Sequence, residues 1–459
     1  MEKKKAMKEA PVPRSRPRRF RVPMNDKGVF SGLAMCDMLI HCVISFDGRI
    51  DESRMAKAVR LTMDAEPVLG CRLVTDWWRI SWERRTDLDS LELFQMTVSG
   101  NVEQDITRFL TVPADPRKDS QVQVLLIRSK TDTLCIKISH VVADAGGVKT
   151  YAYLLASVYR HLARNPEYRP EINLNGSRSM RQVSRQFGIM DKLRIIRRTF
   201  RDFRLNVFPE RYCNFLLNKA ERSDRAFAIL RIDTDLFRAI RSYGRARGAT
   251  INDVMLAAIF RGFSDIISPL PEKPLRLVTT VDFRRFLRTG KSGAICNLSG
   301  IFYLKMYPNP GSGFDDTLLR IRGQMNFVKG DFIGLGTHPY FVLPSVISPD
   351  ALNQWLGRRM IDVMFCNPHK IPPGLTNMGI IDTEQLVFDG TGVSDAFLTA
   401  PAFFSPLFLI GLSGFAESLT MTAGFCGTAL NKPVVEGVLN RIKRELLLTT
   451  QTICEKEHK

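Results

Sequence analysis

No two cysteines of this chain are spaced as a CxxC pair, and its nine cysteines (Cys36, Cys42, Cys71, Cys135, Cys213, Cys296, Cys366, Cys426 and Cys454) are scattered and odd in number. A disulfide framework and a zinc-ligand pattern are both excluded on that spacing, so reduced intracellular thiols and no metal site are expected. The first twenty residues, MEKKKAMKEAPVPRSRPRRF, contain no apolar core and do not read as a secretory signal. An unbroken membrane span is lacking too. The one uncharged run, Ala396 to Ala416, is interrupted by Pro401, Pro406, Gly411 and Gly414. A spanning helix of about 20 residues tolerates one such break more easily than four, so the run reads as buried strands joined by turns. Compositional repeats and long polar tracts are missing as well, which confines expected disorder to the ends.

What is present is globular: 459 residues, 44% hydrophobic and 25% charged, long enough for two or three compact units. The formal charge of +19 is concentrated in the first 22 residues and in segment 178–204. Nucleic acid, an anionic membrane surface or a phosphorylated substrate could each answer such an excess.

Along the chain, the stretch from Val29 to Val74 predicts a strand, a turn at Asp47-Gly48, a helix and a further strand. Ile50, Met55, Ala58, Val59 and Thr62 form the helical stripe, which Pro67 ends. VQVLLIRSKTDTLCIKISH predicts a hairpin turning near Lys130–Thr133. In its second strand Leu134, Ile136, Ile138 and His140 share one face, and Cys135, Lys137 and Ser139 the other. A helix follows with the stripe Val148, Tyr151, Leu154, Leu155, Val158 and Leu162. Later elements are a strand (AFAILRIDT), a helix over Asp235–Arg247, and a helix introduced by GATINDV with Thr250 or Asn252 as N-cap. The strands LRLVTTVDFRR and CNLSGIFYLKM come next, and a helix from about Pro433 to Leu448 closes the chain.

The segment from Ser139 to Gly147, SHVVADAGG, carries the chemistry. It sets a histidine at a strand end, then a glycine-bearing turn and a helix. Acyl transfer to an alcohol needs a base of near-neutral pKa within hydrogen-bond reach of the hydroxyl, and imidazole meets that need. Asp144 then reads as a geometric brace rather than a second base. Gly146 and Gly147 permit close backbone approach and leave amides at a helix start, where negative charge is stabilised. On those residues alone, a core histidine followed by a capping aspartate is the more ordinary arrangement.

The same segment matches the HxxxD[GA] active-site sequence of the chloramphenicol-acetyltransferase-like superfamily. The chain resembles the branch holding condensation domains, alcohol acetyltransferases, mycobacterial polyketide-associated acyltransferases and wax ester synthase/diacylglycerol acyltransferases. FDGRIDESRMAKAV with PVLGCRL is similar to that family's opening strand, helix and strand. GATINDVMLAA (248–258) resembles its ATxNDV segment, VDFRR (281–285) with Asn297-Leu298-Ser299-Gly300 its "DLR…N.sG" stretch, and TNMGIID (376–382) its later "sNxG" strand. Together these cover roughly residues 25–450. Two departures bear on subgroup: Ser139 stands where many relatives carry a second histidine, and the DFGWG motif of the plant branch is missing. No carrier-protein module is read after these motifs, so a free-standing enzyme is expected.

The resemblance implies an α+β fold of mixed sheets with flanking helices, arranged as two similar, pseudo-symmetric lobes with a channel between them. His140 is implied as general base and Asp144 as the partner of an arginine, with Arg284 the first candidate and Arg285 the second. Gly146, Asn297 and Ser299 are implied near the oxyanion. Asn252 and Asp253 match a family motif, though a helix cap explains them equally well.

The expected division is a basic flexible arm (1–22), an N-terminal lobe (23–175), a basic amphipathic linker (176–214) and a C-terminal lobe (215–459). In the linker, Ile189, Met190, Leu193, Ile196, Phe200, Phe203 and Val207 recur at helical spacing among Lys192, Arg194, Arg197, Arg198, Arg201 and Arg204. Either the stripe packs on a lobe as in an ordinary surface helix, or it docks on an anionic membrane. Nucleic acid is not expected as a partner, since no recognised module accompanies the charge. The expected activity is transfer from an acyl thioester, with acyl-CoA as co-substrate and no bound cofactor, to an alcohol or lipid acceptor. The expected location is the cytoplasm, or the inner membrane face as a peripheral protein. The rivals are condensation with an acyl carrier protein, forming an amide or ester, and a non-catalytic scaffold of the same fold.

Overall fold

The computed structural model describes residues 18–76, 79–207, 217–264, 273–307, 312–330, 332–339 and 372–457, with a few single positions between. Most of the basic arm, Cys213, Cys366 and the side chains of Val207 and Cys454 lie outside the described residues.

The N-terminal half runs through β1 (Arg19–Arg21), α1 (Met24–Ser31), β2 (Leu39–Phe46), α2 (Glu52–Ala65), β3 (Cys71–Thr75), β4 (Ile80–Arg84), β5 (Phe94–Val98) and α3 (Val102–Thr111). It continues with β6 (Val122–Arg128), β7 (Asp132–Ser139) and α4 (Ala145–Arg164). The hairpin β6–β7 forms with Arg128 opposite Asp132, so its turn falls at 129–131. Alternation along β7 divides two cores. Leu134, Ile136 and Ile138 pack with the stripes of α2 and α4, whereas Cys135 joins Val43 of β2 and residues of α3 in a smaller cluster. The first strand, expected between Val29 and the Asp47-Gly48 turn, begins only at Leu39. Before it, Pro23 starts and Gly32 ends a short helix that buries Asn25, Asp26 and Phe30. Residues 19–21, assigned to the arm by the sequence, form β1 and pair antiparallel with β4.

Two helices, α5 (Arg181–Ser184) and α6 (Ile189–Val207), occupy the basic linker. The C-terminal half then contains β8 (Arg225–Ile232), α7 (Thr234–Ala246), α8 (Ile251–Ser264), β9 (Leu275–Asp282), β10 (Ser299–Met306) and α9 (Phe314–Lys329). After them come β11 (Gly374–Ile381), β12 (Val393–Thr399), β13 (Leu409–Phe415), β14 (Ser418–Cys426) and α10 (Thr428–Glu457). The closing helix starts before Pro433, because the Asp224 carboxylate receives both the amide and the hydroxyl of Thr428.

Three sheets result, in the orders β1-β4-β3, β12-β2-β7-β6-β5 and β10-β9-β11-β13-β14-β8. The uncharged run 396–416 supplies most of β12 and β13 with a proline-bearing connection between them. Among the described residues no helix is long and apolar enough to cross a membrane. Although β12 follows β11 in the chain, it leaves the C-terminal sheet and pairs with β2 at the edge of the N-terminal one. That strand and the small cluster of Val43, Cys135, Phe227 and Phe397 tie the two lobes together. The lobes therefore meet along a shared seam, and His140 stands where β7 reaches it.

Candidate active site

His140 follows β7 directly. Its amide donates to Met38 O at 2.7 Å, and Met38 itself adopts φ 51°. A side-chained residue in the left-handed region costs about 1–3 kcal/mol and persists where surrounding contacts fix it, which is common beside functional groups. The next three residues, Val141, Val142 and Ala143, are fully buried, whereas the His140 ring is only half-buried. Its Nδ1 lies 3.0 Å from Ala143 O. A carbonyl oxygen can only accept, so Nδ1 carries the proton and Nε2 is left with a free lone pair in the neutral ring. Burial lowers the imidazole pKa below its ordinary 6.5, against the opposing charge of Asp144. The ring is thus held neutral, in one tautomer, at neutral pH.

Asp144 is committed elsewhere. It caps α4, accepting Gly147 N at 2.8 Å, and takes Leu298 N at 2.7 Å. Arg284, in the turn after β9, donates to both its oxygens, at 2.9 and 3.0 Å. Burial opposes its ionisation, but Arg284 and the two amides outweigh burial and hold the carboxyl below the usual range. A saturated, ionised carboxylate is a poor base and a good brace. Arg284 donates also to Cys296 O at 2.9 Å and to Asp282, so one guanidinium joins α4, β9 and the segment before β10. Arg285 is exposed and lies over Phe286 instead.

Gly146 has a packing reason to be glycine: a Cβ there would stand 2.6 Å from Arg284 Nη1. Asn297 is buried, and both hydrogens of its amide are committed, to Asp26 Oδ1 and Val141 O at 3.0 Å each. It therefore has no amide hydrogen left for an oxyanion. Its Oδ1 has no hydrogen-bond partner among the described residues, yet the side chain lies close enough to favour the protonated His140 ring. Ser299 opens β10 opposite Asp282, half-buried. Ser139, buried in β7, has a hydroxyl without a hydrogen-bond partner among the described residues.

Several groups at the site gave no signal in the sequence. Asp26 of α1 accepts from Asn297, from Trp82 Nε1 at 3.3 Å and from Arg178, which also binds Val142 O and Ile295 O. Asn25 bridges Asn297 O at 2.7 Å and His338 Nε2 at 2.9 Å, and burial pushes His338 down to about 4. These contacts span up to 313 residues, beyond the reach of any local pattern. In α8, Thr250 and not Asn252 is the cap, exchanging bonds with Asp253. Asn252 instead accepts from Asn377 Nδ2 at 2.9 Å, so the GATINDV and TNMG stretches meet. Beside them Gly379, at φ 75°, leaves room for Lys149 Nζ of α4 to reach Ile380 O at 3.2 Å. Among the described residues no group of three His, Cys, Asp or Glu side chains converges on a metal position.

No protein-family model matches the sequence, and no curated protein matches it. Solved structures do. Polyketide synthase associated protein 5 from Mycobacterium tuberculosis superposes with a TM-score of 0.66 at 15% identity, over 93% of this chain and 97% of that one. The first condensation domain of the calcium-dependent antibiotic synthetase gives 0.67 at 14% identity, over 95% and 97%. The trichothecene 15-O-acetyltransferase TRI3 from Fusarium sporotrichioides gives 0.65 at 11%, over 94% and 96%. The fold is chloramphenicol-acetyltransferase-like. Coverage of nearly the whole of each chain means that both lobes take part in the likeness. In this chain the crossover of β12 couples the lobes across the seam where His140 lies.

Proposed function

We propose that this protein is an acyltransferase that moves an acyl group from a thioester, acyl-CoA, to an alcohol, with His140 as general base. The observation that carries the reading is the fixed tautomer: Nδ1–H is anchored on Ala143 O, so Nε2 is available to take a proton. In the reaction, Nε2 accepts the proton of the acceptor hydroxyl as its oxygen forms a bond to the thioester carbonyl carbon. The carbonyl electron pair moves onto oxygen. When the tetrahedral species collapses, the carbon–sulfur bond breaks and the thiolate leaves with the proton from the imidazolium. Asp144 and Arg284 hold the loop, and Asn297 braces Val141 beside the ring. The oxyanion donors we propose are the first turn of α4 at Gly146 and the Ser299 hydroxyl. An acceptor with a lipid body, taken from the inner membrane face, suits the basic linker helix.

A second reading, a carrier-bound donor, is supported by the likeness to a condensation domain of the calcium-dependent antibiotic synthetase. Thiol release from free acyl-CoA, compared with release from acyl carrier protein, separates the two. With either donor, His140→Ala is expected to lower turnover about 10²–10⁴-fold, the usual loss for a positioned base. A folded His140→Ala protein that releases thiol at the wild-type rate contradicts the assignment.

A further inference from the structure

Helix α6 is built with its polarity reversed. The side chains it turns toward the protein are Ile195, Arg198 and Asp202, at successive helical turns. Arg198 and Asp202 are buried and paired at 3.1 Å, and a Cβ on Gly336 would strike both. The opposite face carries Ile189, Leu193, Ile196, Phe200 and Phe203, between 44% and 78% exposed. These five fall on one straight row about 20 Å long at 1.5 Å per residue. Lys192, Arg194, Arg197, Arg201 and Arg204 are exposed beside them, so five of the six cations noted in the sequence point outward and Arg198 alone turns in. Phe327 of α9, 67% exposed and 5.9 Å from the Arg201 guanidinium, widens the surface beyond one helix.

Leaving five large apolar side chains in water forfeits burial that a simple rotation of the pattern would have given. We propose that α6, with Phe327, is a docking surface for an anionic lipid bilayer, the apolar row entering the acyl boundary and the flanking cations meeting headgroup phosphates. A bilayer fits better than a protein partner because the exposed apolar row runs along one helix and is bordered by exposed cations on the same outward side. The cations sit at the flanks of the row, at the level of headgroups. The inference extends the lipid-acceptor reading but is read out without turnover, so either can fail alone.

The test is co-sedimentation of the full chain with vesicles of phosphatidylcholine, with and without phosphatidylglycerol. Binding is expected on the anionic vesicles only, and is expected to fall steeply at about 1 M salt, where screening acts within about 3 Å. Each cation removed should weaken it about 5-fold, so the triple variant Arg197→Gln/Arg201→Gln/Arg204→Gln should lose about 100-fold. Ile196→Ser/Phe200→Ser should abolish the remainder, with an unchanged thermal midpoint as the check on folding. His140→Ala should bind vesicles as the wild type does. Equal binding to both vesicle types, or no loss in the triple variant, overturns the proposal. So does failure to bind vesicles together with a dimer dispersed by Ile196→Ser/Phe200→Ser, or saturable capture of an acidic carrier protein by the same face.

Discussion

Helices α4 and α6 are nearly equal in length, 20 and 19 residues, and both are amphipathic, yet they face opposite ways. In α4 the stripe of Val148, Tyr151, Leu155, Val158 and Leu162 is buried against α2 and the N-terminal sheet. In α6 the equivalent stripe is outside and an Arg–Asp pair is inside. The difference teaches that helical periodicity defines a stripe without saying what covers it. In α4 the question is answered by the residue just before the helix: Asp144 caps it and is pinned by Arg284, which fixes the helix on the seam between lobes. In α6 the buried ion pair, Arg198–Asp202, lies within the helix rather than at its start.

The comparison can be broken first at that anchor. Asp144→Ala or Arg284→Ala strands a buried charge and should cost about 3–5 kcal/mol of stability by denaturant unfolding. The two losses should be strongly non-additive in a double-mutant cycle; additive losses would show that the pair does not act as a unit. A smaller effect tests the stripes. Leu155→Ala in α4, where the side chain is fully buried, should cost about 2–5 kcal/mol. The smallest effect is expected in α6, where Leu193 is 55% exposed and Leu193→Ala should stay within about 0.5 kcal/mol. Equal losses at Leu155 and Leu193 would mean that α6 buries its stripe after all.

Much of this was legible in the sequence because it is local. Strand parity separated Leu134, Ile136 and Ile138 from Cys135, and the strand–His–turn–Gly order marked the start of α4. Arg284 could be named beside Asp144 only through the family resemblance, since 140 residues separate them. Asn25, Asp26, Arg178 and His338 were not legible: each is an ordinary polar residue whose partner lies far along the chain. Asn297 was legible as a site residue, but its donors could not be seen to be taken up by Asp26 and Val141. The outward stripe of α6 was an open alternative, because its residues fit a packed face as well as an exposed one.

The central claim is that neutral His140 takes the acceptor's proton, and the pH dependence of kcat/KM reports on it directly. Because burial lowers the imidazole pKa, the base is present above that pKa and lost as pH falls through it. Measured on thiol release across the stable range, kcat/KM should rise from acid pH with a single midpoint below 6.5 and then stay level through neutrality. A rise centred near 8, where burial places the Lys137 ammonium, or a rate indifferent to pH below 6.5, would contradict it.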